Sequence, residues 1–206
     1  MKLLRNRFFV SVFALAGIGI GVAASWAVMD TMIHATGDEE FCGMCHSLAP
    51  MSASYLEDLH GGNNAAGWRA TCSQCHIPQG NAVHYLLVKG YHGVVDPAME
   101  LLKDPHDIDW HSNRERRQEF VYDSGCLSCH RYLQEQTTDN RRAMRSHKRY
   151  FSDPDDYSCV ECHENVGHHR LEYHLENMGW KKPATEAAAA QDDSASKLLA
   201  SDAPGE

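Results

Sequence analysis

Four copies of the pentapeptide Cys-x-x-Cys-His, at Cys42–His46, Cys72–His76, Cys126–His130 and Cys159–His163, consume all eight cysteines of the chain. That spacing lets two thiols add to the two vinyl groups on one haem edge while the next residue turns its imidazole onto the iron. Each copy is therefore attachment point and axial ligand together: Cys42, Cys45, Cys72, Cys75, Cys126, Cys129, Cys159 and Cys162 bind four haem c groups, and His46, His76, His130 and His163 face the irons. Zinc held by paired Cys-x-x-Cys units, a thioredoxin-like redox pair or a set of disulfides would use the same cysteines. None of them needs a histidine directly after every second cysteine.

Four covalent cofactors restrict the fold. Residues 41–180 offer about 35 residues per haem, too few for a conventional apolar core, so the haem faces must supply much of the buried apolar surface. The expected class is mainly α: an N-terminal transmembrane helix plus a small multihaem c-type domain with little regular β structure. Candidate helices are Met51–Asp58, Asn81–Val95 with an extension through Glu100–Leu102, Ser112–Tyr122, Thr138–Tyr150 and Val166–Asn177, separated by breakers at Gly61-Gly62, Pro78, Pro97, Pro105 and Pro154. The first cysteines of successive motifs lie 30, 54 and 33 residues apart, which suggests two dihaem halves joined by a longer connection. Three segments follow: 1–30 as cytoplasmic stub and anchor, 31–180 as haem domain, and 181–206 as a low-complexity, mobile tail.

Phe8 to Met29 carries no formal charge, with Lys2, Arg5 and Arg7 before it and Asp30 after it. Roughly 20 helical residues cross a bilayer, and the flanking charges put the N-terminus in the cytoplasm. A cleaved signal peptide is the competing reading, since Val22-Ala23-Ala24-Ser25-Trp26-Ala27 offers small residues to a peptidase. The run is longer than the roughly 7–15 residues of a signal h-region, which favours an uncleaved anchor. The expected location is a bacterial inner membrane, single pass, with the haem domain on the periplasmic side, where c-type haem is attached. Gly17 and Gly21 could form a G-x-x-x-G face for a homo-oligomer, although a glycine-rich span is commonplace. Beyond residue 29, 16 basic residues stand against 28 acidic ones, which argues against a nucleic-acid partner and suits a protein partner with a complementary patch.

Ten histidines remain after the motif histidines are set aside. A histidine a few residues past its own motif cannot swing round to the opposite face of its own haem. His168 or His169, five or six past His163, should therefore serve a different haem.

Glu40-Phe41-Cys42-Gly43 after a single anchor, Gly67-Trp68-Arg69-Ala70-Thr71-Cys72 leading into Cys75-His76-Ile77-Pro78, and Cys159-x-x-Cys162-His163 with His168 beyond resemble the membrane-anchored tetrahaem quinol dehydrogenases of the NapC/NirT family. The resemblance implies that His60 reaches the third haem opposite His130, that His147 faces His163 on the fourth, and that His168 returns to the second opposite His76. Many relatives carry a methionine two residues after the first motif; here that position is Leu48, and Met51 is the nearest replacement, so His46 and Met51 both stand as ligands of the first iron. The resemblance also implies a quinol site at the first haem, with Lys89 as donor to the quinone oxygen and Asp96 as proton acceptor. If Pro97 ends their helix, Asp96 falls in its last turn. The implied activity is oxidation of quinol, menaquinol or ubiquinol, from the membrane quinone pool, with electrons passed to a periplasmic reductase or other redox protein. The alternatives are an electron-transfer adaptor without a quinol site, reverse flow from a periplasmic oxidase to quinone, and an open haem reducing a small molecule. Arg141, Arg142, Arg145, Lys148 and Arg149 cluster beside His147, either to pair with haem propionates or to dock an acidic reductase.

Overall fold

The uncharged run fixes the first element of the computed structural model, which describes residues 2–180, with side chains from Arg7 onward. Helix α1 (Lys2–Ala35) is 34 residues long, roughly 50 Å at about 1.5 Å per residue. Within its Arg7–Ala35 stretch an 18-residue window has a mean hydropathy of 2.1 and none of that window is buried against the rest of the chain, so by length and composition the helix can cross a membrane. The tail beyond Trp180, expected to be mobile, lies outside the described residues.

The remainder is short helices and turns: α2 (Glu39–Cys42), α3 (Ala49–Leu56), α4 (Cys72–His76), α5 (Ala82–Leu102), α6 (Trp110–Glu115), α7 (Asp123–Cys129), α8 (Leu133–Gln136), α9 (Arg141–Ser152), α10 (Cys159–Cys162) and α11 (Leu171–Asn177). Among the described residues there is no strand, and the single β-bridge joins Gly61 to Arg69. The expected mainly α class is what folds. The fully protein-built core is correspondingly small: Tyr55, Ala70, Ile77, Val160, Leu175 and Trp180 are its buried apolar side chains. α11 lies against α3, and the Tyr55 hydroxyl donates to the Ala70 carbonyl at 2.6 Å.

Helix boundaries differ from expectation where tertiary contacts overrule local signals. The expected extension of the Asn81–Val95 helix through Glu100–Leu102 forms, but Pro97, expected as a breaker, lies inside α5, which runs on to Leu102. A proline ring collides with the carbonyl four residues back, and here that residue is Gly93 on an exposed helix. Asp96 therefore sits more than a turn inside α5 and is not in its last turn. The expected Ser112–Tyr122 helix is broken: Asp109 caps α6 by accepting from Ser112 N–H, α6 stops at Glu115, and a 3-10 turn covers Arg117–Glu119. Val166–Asn177 shortens to α11 because Gly167 (φ 79°) and Arg170 (φ 55°) are left-handed, which no helix interior accommodates. Asn140 accepts from Arg142 and Ala143 N–H, so α9 starts at Arg141 instead of Thr138.

Two motifs begin with a capping box. Thr71 caps α4 while Gln74 reaches back to Thr71 N–H (2.8 Å), and Ser158 caps α10 while Glu161 reaches back to Ser158 N–H (3.0 Å). Each box starts a helix at the first cysteine, which puts the second cysteine three residues on, on the same face.

Candidate haem-binding and redox site

The motifs touch in chain order. Ser73 N–H of the second donates to the Gly37 carbonyl just beyond α1 (2.9 Å), and the Cys42 and Cys72 thiols are hydrogen-bonding neighbours. α4 and α7 then pack: Tyr122 N–H donates to the Cys75 carbonyl (3.0 Å), and Gly125 lies so close to Gln74 that a Cβ would overlap its carbonyl oxygen. Asp123 accepts from Cys159 N–H (3.0 Å), joining the third motif to the fourth, with the Cys126 and Cys159 thiols adjacent. Asp123, Cys126 and Cys159 offer ligand atoms within 4.8 Å of one another. A cation held there would leave Cys129, Cys162 and the motif histidines without a role.

Three motif histidines face a second histidine. The ring centres of His76 and His168 are 6.1 Å apart, those of His60 and His130 6.3 Å, and those of His147 and His163 6.2 Å. Two imidazoles joined through one iron would have centres about 6 Å apart, given roughly 2 Å per metal–nitrogen bond and roughly 1 Å from nitrogen to ring centre on each side. The tautomers agree. His76 Nδ1–H donates to the Phe120 carbonyl (2.8 Å), His168 Nδ1–H to the Met51 carbonyl (3.2 Å), His60 Nδ1–H to Asp58 (3.2 Å), and His147 Nδ1 lies 3.4 Å from the Thr137 hydroxyl. With Nδ1 occupied, the Nε2 lone pair is bare for a metal. Burial, then the neighbouring His76, pushes His168 down to about 4, so it is neutral near pH 7 as a ligand must be. Burial likewise lowers His76, and burial with His163 lowers His147. The broken helices supply this geometry: the 3-10 turn brings Phe120 to His76, and the left-handed turn before α11 swings His168 back onto α3.

The first motif stands apart. Its His46 ring rests on buried Trp180 at 5.4 Å, and Trp180 in turn on His106 at 4.3 Å. Met51, in the first turn of α3, contributes its carbonyl to His168 and to the Ser54 hydroxyl. Glu100, from α5, accepts His46 N–H at 2.9 Å and Ser47 N–H at 3.4 Å, and the Ser47 side-chain hydrogen bond holds its carboxyl below the usual range, with these two backbone bonds adding to the effect. Replacing Glu100 with alanine should free the 3-10 turn His46–Leu48 and shift one of four reduction potentials. A potentiometric titration in which all four stay at their wild-type values would count against that role.

Sequence reasoning missed Glu100, although Lys89, Asp96 and Glu100 recur at i, i+7 and i+11 and so share a helical face. It also missed Asp58 and Asp123, whose roles depend on distant partners; only Asp58, two residues before His60, carries a local Asx signal. Lys89 is half-buried, donates to the Thr36 carbonyl at the end of α1 (2.8 Å), and has its pKa lowered by burial. Asp96 is paired with His92 one turn earlier, both carboxylate oxygens lying 3.2 Å from Nδ1.

These features define a multihaem c-type cytochrome carried on one apolar helix. The chain belongs to the NapC/NirT cytochrome c family, whose N-terminal region matches residues 4–173, and membership brings covalently bound haem c to the motifs. It is 28% identical to cytochrome c-type protein TorC of Escherichia coli over 211 residues, 93% of this chain and 50% of TorC, so it spans about half the length of that relative. It is also 28% identical to tetraheme c-type cytochrome CymA of Shewanella oneidensis, covering 79% of this chain and 91% of CymA. A crystal structure of the cytochrome c nitrite reductase NrfHA complex bound to the HQNO inhibitor is 27% identical, with a TM-score of 0.49, over 77% of this chain and 91% of that one.

Proposed function

We propose that this protein oxidises a membrane quinol, menaquinol or ubiquinol, at its first motif and delivers the electrons to a soluble reductase or redox protein on the periplasmic side. In this reading His76 and His168, His60 and His130, and His147 and His163 hold three irons, and His46 or Met51 the fourth; the haems supply reversible one-electron chemistry.

The observation that carries the reading is the two-sidedness of α5. Lys89, His92, Asp96 and Glu100 fall on one face of the helix, and Glu100 ties that face to the first motif. The opposite face presents Val83, Leu87, Tyr91, Val94 and Leu101, with Leu87 69% and Leu101 85% exposed. An exposed apolar face on a helix adjoining a transmembrane segment fits the lipid boundary. Between α1 and the start of α5 lies a cleft of about 420 Å³ lined by Trp26, Met29, Ile33, Tyr85 and Leu86 among others, a volume in the range of small-molecule sites.

Lys89, one turn beyond the Tyr85 that lines this cleft and on the same side of α5, donates a hydrogen bond to a quinol oxygen, and its partial burial keeps the donor out of competition with bulk water. The His92–Asp96 pair, open to solvent, receives the protons that quinol oxidation releases. Glu100 keeps the first motif at a fixed distance from both.

Reduction of the purified protein by a menaquinol analogue should fall at least ten-fold in Lys89→Ala, recover partly in Lys89→Arg, and leave reduction by dithionite unchanged. An unaltered quinol rate in Lys89→Ala would instead favour an adaptor that receives electrons from another protein.

A further inference from the structure

We infer that α9 is a docking surface for an acidic, soluble electron-carrying protein. The inference rests on the proposed function only for the direction of electron flow. Arg141, Arg142, Arg145, Lys148 and Arg149 lie within about 120° of the helix circumference, and all five are exposed. His147, Ala143 and Tyr150 occupy roughly the opposite side and are half-buried, with His147 stacked toward His163. The basic stripe is therefore turned outward, away from the face that carries the fourth motif's partner ring.

Nothing within the described residues neutralises the stripe. Arg114, Arg116, Arg117 and Arg170 are each paired with a glutamate, whereas no carboxylate pairs with any of the five on α9; Arg149 lies over the Tyr157 ring at 4.5 Å. The arrangement works against the helix itself. Like charges three and four residues apart repel, and Arg141 and Arg142 occupy the first turn, where the macrodipole disfavours cations. A row of cations that the helix does not need, on a protein with 28 acidic and 19 basic residues, is matched to something outside it. The five stripe positions carry no apolar side chain, and Met144 and Phe151 beside them are only 37% and 36% exposed against 85% for Leu101 on the outer face of α5, so an acidic protein suits the stripe better than a lipid surface. Such a partner would rest one helix diameter, about 10–12 Å, from the His147–His163 pair.

The test uses the full-length, haem-loaded protein and plastocyanin, a small copper protein with an acidic face. Calorimetric titration of the oxidised protein should show binding that weakens steeply between about 0.02 and 0.2 M salt. Arg141→Glu/Arg142→Glu/Arg145→Glu should weaken it at least ten-fold and flatten the salt dependence; the glutamine triple variant should fall between. After dithionite reduction and removal of the excess, each ferrous haem gives one electron to one Cu(II), and the observed rate should follow the same order. Basic mitochondrial cytochrome c should show no loss in either variant. Variant binding and salt dependence equal to wild type would overturn the inference. So would a stripe that bound anionic phosphatidylglycerol vesicles in preference to plastocyanin, or wild-type binding that rose several-fold when Glu186, Asp192, Asp193, Asp202 and Glu206 were neutralised, which would show the chain's own tail on the surface. Failure of the quinol reading would appear separately, as absent reduction by menaquinol analogue with plastocyanin binding intact.

Discussion

His168→Ala should leave one haem of four without its second imidazole and turn it from low-spin to high-spin, visible as a new signal in the low-temperature electron paramagnetic resonance spectrum of the oxidised protein. The expectation follows from the 6.1 Å separation of the His76 and His168 ring centres and from the Met51 carbonyl and Ser54 hydroxyl that orient His168. His168→Met is the informative companion: a thioether ligand raises the potential of an iron relative to two imidazoles, so one midpoint should move upward while three hold. His169→Ala, one residue on and exposed, should change neither spectrum nor potentials. If His169→Ala produced the high-spin signal and His168→Ala did not, the assignment of the second haem would be wrong. Wild-type protein should itself show at most one high-spin centre, at the first motif, where His46 packs on Trp180 instead of a second histidine.

Gly125→Ala should destabilise the protein strongly, as should Gly61→Ala, whose Cβ would meet the Tyr55 carbonyl. The Cβ added at Gly125 would run into the Gln74 carbonyl, a backbone atom that cannot rotate away, so α4 and α7 must separate. Overpacking of a buried site costs about 1–3 kcal/mol, a large share of the stability of a domain with so few buried apolar side chains. Haem per polypeptide, measured from the pyridine haemochrome spectrum, should drop, and the melting temperature of what remains should fall. Gly90→Ala, on α5 with open space where the Cβ would go, is the control: it should be neutral or stabilising by up to about 1 kcal/mol through helix propensity. Equal stability of Gly125→Ala and Gly90→Ala would mean that the contact between the second and third motifs bears no weight.

Much of this was legible in the chain itself because the haem motif is local chemistry. Five consecutive residues declare two covalent bonds and a ligand, and the charge-free run from Phe8 to Met29 declares a long apolar helix. The pairing of His60, His147 and His168 with distant motifs follows from family resemblance, and the observed rings are close enough for each pair to share an iron. Local signals failed where a helix end was decided elsewhere. Pro97 reads as a terminator, yet α5 continues because Glu100, one turn further, is held by the backbone of His46 and Ser47. Val166–Arg170 reads as helical, yet it must turn tightly to return His168 to α3. Glu100, Asp58 and Asp123 were invisible as functional residues for the same reason: a carboxylate in a chain with 28 acidic residues acquires meaning only from what it touches.

The capping boxes at Thr71–Gln74 and Ser158–Glu161 bear on the order of events during biogenesis. Each box biases a few consecutive residues toward the turn that sets both thiols of the second and fourth sites on one face, and the bonds to Gly37 and Asp123 then hold that turn in the folded chain. The third site has no side-chain cap on its helix, and at the first site Asp38 caps only the turn that ends at Cys42. Cofactor insertion at Cys72 and Cys159 would then come early, and the remaining two porphyrins would be seated against a partly built scaffold.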